Sequence, residues 1–370
     1  MIKAGVSAVI LLVLFGHCQH LRPSAMETVS TPTAIQKVSL QNRNGLRLSI
    51  INFGGKITEL WVPDRAGTLQ DVVLGYDTLE HYLSGNPYFG ALIGRFGNRI
   101  ANGKFVLNGQ TYQLPRNNGE NSLHGGPGGF HNVFWSMRLD SAENRVTLSR
   151  ISAAGEAGYP GNLQVHVAYQ LTEKNEVVIE YRATTDAPTV VNLTHHSFFN
   201  LAGAGAGDIL GHELQIMADR FLPVDQGLIP TGVLQDVTGT PFDFRTPMPI
   251  GARIHGTDEQ LLRGKGYDHN WVLTQPQPGA LTLAARVVEP TSGRTMDVYT
   301  TEPGLQFYSG NFLDGSDRGK GGQAYAHRTA FCLEAQHFPD SPNQSHFPRV
   351  VLQPGEVYTQ KTIYAFSVTE

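Results

Sequence analysis

Apolar and polar positions alternate along much of this chain. Val165, Val167, Tyr169 and Leu171 follow a period of two, and after a turn at 173–176 Val177, Ile179 and Tyr181 repeat it. Residues 281–288 and 295–301 predict another strand pair around the turn Pro290-Thr-Ser-Gly293, and a long alternating run closes the chain at 357–368. Asn108-Gly109 sits between two short β-prone runs within 104–114, the pattern of a tight hairpin. Helical periodicity is confined to 77–83, with Asp77 as N-cap, and to 258–262. Strands this numerous and evenly spaced predict an all-β sandwich or barrel, not βαβ units. No internal repeat occurs and no linker interrupts the chain after residue 36, so residues 37–370 read as one domain.

Composition sharpens this picture in three places. Gly (41 residues) and Pro (21) suit many turns better than long helices. The formal net charge of -4, without any Lys/Arg-rich run, gives no footprint for a nucleic-acid partner. Lys3 followed by an apolar run over 8–16 reads as an export leader ending near residue 25, since a membrane span needs roughly 20 apolar residues. Residues 26–36 read as a polar spacer. The chain is therefore expected in the periplasm or outside the cell, with an uncleaved membrane tether as the alternative. Beyond this leader Cys332 stands alone, which rules out a disulfide within the mature chain.

Candidate chemistry clusters in a few segments. In 331–340 a strand would carry Glu334 and Gln336 on one face and Leu333 on the other, ahead of a Pro-bounded turn. A carboxylate there could be a poised base, although a Glu on a half-exposed strand is more often simply solvated. His195 and His196 are adjacent on a predicted strand, so they point to opposite faces and only one can serve a given cleft. Without a third ligand at regular spacing they are poor evidence for a metal and better evidence for proton transfer. Arg95 and Arg99 lie in a Gly-bearing segment and could present guanidinium donors to a hydroxylated or anionic ligand, a sugar phosphate included. The loop 117–129 is rich in Gly and holds His124, but its spacing does not match a phosphate-cradling loop. Asp268 with aromatic neighbours suits gripping a sugar.

Taken together these segments resemble the aldose 1-epimerases (galactose mutarotases). The resemblance rests on Gly94-Arg-x-x-Asn-Arg-Ile, Asn121-Ser-Leu-His-Gly-Gly, Asn192-Leu-Thr-x-His-Ser-x-Phe-Asn-Leu-Ala-Gly, Asp268-His-Asn, Glu302-Pro-Gly-Leu-Gln-Phe-Tyr-Ser-Gly-Asn and Cys332-Leu-Glu-x-Gln-x-Phe-Pro-Asp, in the family's order over roughly 38–368. It implies a large antiparallel β-sandwich of the galactose-mutarotase type with only short helices, no metal and no redox cofactor. It further implies Glu334 as general base, His196 as general acid, and Asn98, Arg99, His124, Asp268 and Gln306 as sugar contacts. The partner implied is a small-molecule aldose, met by a monomer or homodimer whose mature domain is not membrane-embedded. Two departures stand out: His195 replaces an Asn common before the catalytic His, and Ala335 a Thr common after the catalytic Glu.

The reaction implied is interconversion of α and β anomers, with Glu334 expected as carboxylate and His196 as imidazolium at neutral pH. Two rival readings remain at this point. Glycoside hydrolysis needs two carboxylates about 5–9.5 Å apart, for which Asp268 and Glu334 are available. A sugar-binding module without turnover would use the same cleft, since a fold does not guarantee a function.

Overall fold

The computed structural model describes Met1 and residues 32–369; the expected leader, Met1 apart, and the first part of the spacer lie outside the described residues. A nine-stranded antiparallel sheet runs in the order Ser136–Asp140, Arg145–Ser152, Leu163–Leu171, Glu176–Thr185, Tyr358–Val368, Arg294–Thr300, Thr282–Val288, Glu213–Ile216, Met248–Pro249. The strand pairs expected from alternation are all present in it, with Val167 opposite Tyr181 and Arg286 opposite Asp297. Alternate residues of these strands are buried, as a sheet with one face on the core requires.

A second sheet of five strands runs in the order Gln235–Asp236, Arg220–Leu222, Asp268–Val272, Gly304–Tyr308, Cys332–Gln336. One core cluster joins the two layers, combining Trp271, Phe307 and Leu333 from the smaller sheet with Val165, Ile179 and Tyr364 from the larger. Each such side chain, taken out of water, contributes roughly 1.5–3 kcal/mol. Polar contacts also bridge the layers. The Tyr364 hydroxyl donates to Leu333 O (3.2 Å) and Gln360 Nε2 to Ala335 O (3.1 Å). A four-stranded sheet over Lys37–Gln41, Arg47–Ile51, Ile57–Pro63 and Leu69–Asp71 adds a flank.

Turn chemistry sets the details. Asn108 and Gly109 both take positive φ (51° and 78°), joining Lys104–Leu107 to Gln110–Gln113 as the hairpin signal predicts. Asp258 caps the helix Glu259–Gly264 by accepting from Gln260 N. The other expected helix is shorter, His81–Ser84, and Asp77 does not cap it. Asp77 accepts from Gly321 N at 2.9 Å instead, so a long-range contact outcompetes the local cap. Among the described residues no helix is long and apolar enough to cross a membrane.

One buried charge is anomalous. Lys56 is fully buried, donates to Tyr82 O (3.1 Å) and lies over the Phe53 ring (4.7 Å), but has no carboxylate partner among the described residues. Burial lowers its pKa from 10.5 to about 7. Between those two values the unfolded chain holds one proton more than the folded one. Stability therefore rises with pH across that window, and the penalty is fully present below about pH 7. Lys56→Met should raise the melting temperature at pH 6 by several degrees, on the order of a few kcal/mol, with the gain shrinking towards pH 10. Thermal unfolding across that pH range checks this; a variant less stable than wild type at pH 6 contradicts it.

Candidate functional site

Antiparallel register builds the site. Asp268 pairs with Tyr308 and Tyr308 with Cys332; two residues along, Asn270 pairs with Gln306 and Gln306 with Glu334. Side chains directly opposite one another, or two apart on one strand, share a face. One face of this sheet therefore presents Asp268, Asn270, Gln306, Tyr308, Cys332 and Glu334, while Trp271, Phe307, Leu333 and Ala335 go into the core. All five residues of Cys332–Gln336 are buried, so the solvated reading of Glu334 does not hold.

A separate two-stranded ribbon brings the histidine. Thr194–His196 pairs with Ala91–Ile93, and Thr194 Oγ1 donates to Ala335 O (2.8 Å), tying the ribbon to the Glu334 strand. The two histidines part as their alternation demands. His196 enters a cleft of about 320 Å³, also lined by Tyr88, Asn98, Arg99, Asn118, His124, Asp268 and Glu334. His195 points into the core, edge-on to Tyr169 (5.8 Å) and Tyr364 (6.4 Å), where desolvation lowers its pKa to about 3.

Glu334 and His196 meet, with Oε1 3.5 Å from Nε2. Burial pushes the Glu334 carboxyl well above the usual range, the nearby Asp268 charge adds to this, and Arg99 opposes it. Burial lowers His196 to about 3, against a raising contribution from its own backbone carbonyl. Burial by itself thus favours the neutral carboxyl and the neutral imidazole, the reverse of the carboxylate and imidazolium expected from sequence, because both ions lose hydration. The His196 ring is stacked with Phe198 (4.9 Å) and Tyr88 (5.6 Å), and His124 meets it edge-on (5.1 Å).

The loop 117–129 holds His124 against the segment 94–100. Gly125 is required there: its φ is +80°, and a Cβ would lie 2.0 Å from Gly94 O. Asn98 and His124 both adopt positive φ (61° and 53°) and clamp each other. His124 N donates to Asn98 O (3.0 Å), and Asn98 N donates to His124 Nδ1 (3.1 Å). Since Nδ1 accepts and burial holds this imidazole neutral, the His124 proton sits on Nε2. His124, His196 and Glu334 do offer ligand atoms within 4.8 Å of one another. His124 fits that set poorly, because metallating Nε2 would leave Nδ1–H facing the Asn98 N–H. Its Nε2–H suits a hydroxyl oxygen.

Arg99 reaches Asp268 (Nη2 to Oδ2, 3.5 Å) and donates from Nε to Asn118 Oδ1 (2.9 Å). Gln306, on the same sheet face between Asn270 and Glu334, donates to Asp268 Oδ1 at 2.7 Å. Arg95 is not in the cleft. Its guanidinium donates to Pro160 O (2.7 Å), Gly161 O (2.9 Å), Ser152 O (2.9 Å) and Ser152 Oγ (2.6 Å). The two-arginine phosphate grip considered from sequence is thereby excluded, because Arg95 is spent on loop carbonyls. Trp271 is likewise a core residue, and aromatic contact in the cleft comes from Tyr88, Phe198, Tyr308 and Phe312. Sequence reasoning passed over these four and Asn118. Asn118 lay inside the Gly-rich loop already singled out, and Phe198 and Tyr308 inside the motifs at 192–203 and 302–311; Tyr88 and Phe312 carried no signal.

The aldose 1-epimerase family model matches residues 36–365. The chain is 50% identical over 334 residues to the galactose mutarotase of Bos taurus, covering 90% of this chain and 94% of that protein. It is 39% identical over 331 residues to the aldose 1-epimerase of Escherichia coli (strain K12), covering 89% and 94%. Among solved structures, an aldose epimerase homologue from C. elegans superposes with a TM-score of 0.84 at 32% identity, over 91% of this chain and all (100%) of that one.

The two arginines should separate experimentally. Arg95→Met leaves several buried carbonyls unpaired and should cost about 3 kcal/mol or more in stability. Arg99→Met should instead raise the KM for a hexose at least ~10-fold with a smaller change in melting temperature. Calorimetry and steady-state kinetics on both variants check this, and matching effects from the two would contradict the division of labour.

Proposed function

The chain belongs to the aldose 1-epimerase family, and on that premise we propose that Glu334 and His196 carry its reaction as general base and general acid. The enzyme interconverts the α and β anomers of free aldohexoses such as glucose and galactose. The observation that carries the assignment is the buried carboxyl–imidazole contact of 3.5 Å on the wall of a cleft that also holds Arg99, His124 and Asp268.

In ring opening, Glu334 takes the O1 proton, the C1–O1 double bond forms, the C1–O5 bond breaks, and O5 takes a proton from His196. Rotation about C1–C2 turns the aldehyde, and the reverse transfers close the ring to the other anomer. The pair starts as carboxylate and imidazolium, becomes neutral on opening and is restored on closure. Burial favours the neutral members of both groups, so desolvation pulls the proton transfers in the opening direction. Sugar hydroxyl groups would solvate the ionised pair from which opening begins. Glu334 Oε2 has no protein partner among the described residues and is suited to meet one. Arg99, Asn98, His124 and Asp268 would hold the remaining hydroxyls while C1 stays free to turn, and Gln306 would act through Asp268. Asp268 is engaged by both Arg99 and Gln306, which suits a fixed hydroxyl acceptor better than the mobile acid of a hydrolase.

We also propose that residues 37–370 act as one catalytic unit and that the leader exports it. The basic Lys3 and apolar run over 8–16 support that reading. N-terminal sequencing of the protein recovered outside the cytoplasm should begin near residue 26, and an intact leader on cytoplasmic protein would overturn it.

Polarimetry of freshly dissolved α-D-glucose tests the catalytic assignment. Glu334→Gln and His196→Asn should each lose ~10²–10⁴ in kcat, and full activity in either variant would refute it. The pH profile gives a second check. Activity needs one proton on the pair, so the acid limb should lie near His196's value of about 3 and the alkaline limb well above the usual carboxylate range. Asp268 raises the Glu334 pKa, so Asp268→Asn should move the alkaline limb to lower pH as well as lowering activity.

A further inference from the structure

One polar contact of the His196 ring takes no part in the chemistry above. Cys332 Sγ lies 3.5 Å from Nδ1, on the side of the ring away from the Glu334 contact at Nε2. Cys332 and Glu334 are positions i and i+2 of one strand, so the same strand face meets both nitrogens of one imidazole. Cys332 is fully buried, and burial pushes its thiol well above the ordinary value, so the sulfur stays protonated and is not a nucleophile.

We propose that Cys332 is a positioning residue for His196, its sulfur accepting from Nδ1–H and so reserving Nε2 for the catalytic proton. This rests on His196 being the acid. As an acid His196 must lose its proton from Nε2 and keep the one on Nδ1, and that retained N–H needs an acceptor throughout the cycle. A thiol sulfur is a weak acceptor. It can orient the ring without the gain in basicity that a carboxylate at Nδ1 would bring, leaving the imidazolium acidic enough to protonate a poorly basic ring oxygen. Tyr88 and Phe198 stack with the ring and constrain its tilt, and Cys332 then sets which nitrogen is in play.

The bland alternative is a small apolar filler, since Cys332 also packs within a cluster containing Phe89, Phe198 and Tyr308. ¹⁵N NMR of the imidazoles in the whole enzyme at pH 7.5, with His196 assigned by His196→Asn, separates the two. Wild type should show His196 as the Nδ1–H tautomer. In Cys332→Ala and in the better-filling Cys332→Val the tautomers should mix, with kcat down about tenfold and KM within about twofold. An Nε2–H tautomer in wild type overturns the proposal whether or not the variants fold. So does a folded Cys332→Ala or Cys332→Val that keeps kcat within about twofold. A fully active His196→Asn would sink the underlying acid assignment instead, and that outcome is read separately from the tautomer.

Discussion

A carboxyl and an imidazole buried 3.5 Å apart are the constraint around which this cleft is organised. Two such groups cannot both be ionised cheaply away from water, nor can they drift apart without losing each other as partners. The fold answers with rigidity. Glu334 comes from a strand buried on both faces, and His196 from a ribbon hydrogen-bonded to that same strand through Thr194 and Ala335. Placing both groups on strands instead of loops gives them the positional precision that the proposed proton transfer requires.

The charges around the pair are arranged so that they do not cancel it. Asp268 raises the Glu334 pKa, but its own carboxylate is held by Arg99 and Gln306. Arg99 is in turn anchored on Asn118, so its charge is shared between Asp268 and the cleft and is not spent as a direct ion pair with Glu334. Asn98 and His124, each in a left-handed conformation, hold one another and fix which nitrogen of His124 carries a proton. Strained backbone at two adjacent cleft residues is stabilised by the tight packing of the Gly-rich loop on residues 94–95.

Much of this was legible before the structure. Period-two alternation at 165–171, 177–181 and 357–368 located the strands of the large sheet, because those strands are half-buried. The strand bearing Glu334 was harder to read. It is covered on both faces, so alternation is absent there and its polar residues suggested partial exposure. The parting of His195 from His196 followed from strand geometry alone. The motif already singled out Arg99 over Arg95 as a sugar contact, but that Arg95 is spent on loop carbonyls, and that Gln306 donates to Asp268, emerged only on folding. Asp77 failed as a helix cap for the same reason: its partner, Gly321, lies 244 residues away in the chain.

By itself, then, the order of residues determined the all-β character, the turn positions and the identity of the proton-transfer candidates, since these depend on local periodicity, turn chemistry and motif. Tertiary structure decided the burial that favours neutral Glu334 and His196, the tautomer of His124, the contact between Cys332 and His196, and the aromatic lining from Tyr88, Phe198, Tyr308 and Phe312. Each of those depends on desolvation or on atoms brought together from distant parts of the chain, and neither quantity exists until the two sheets have closed on their common core.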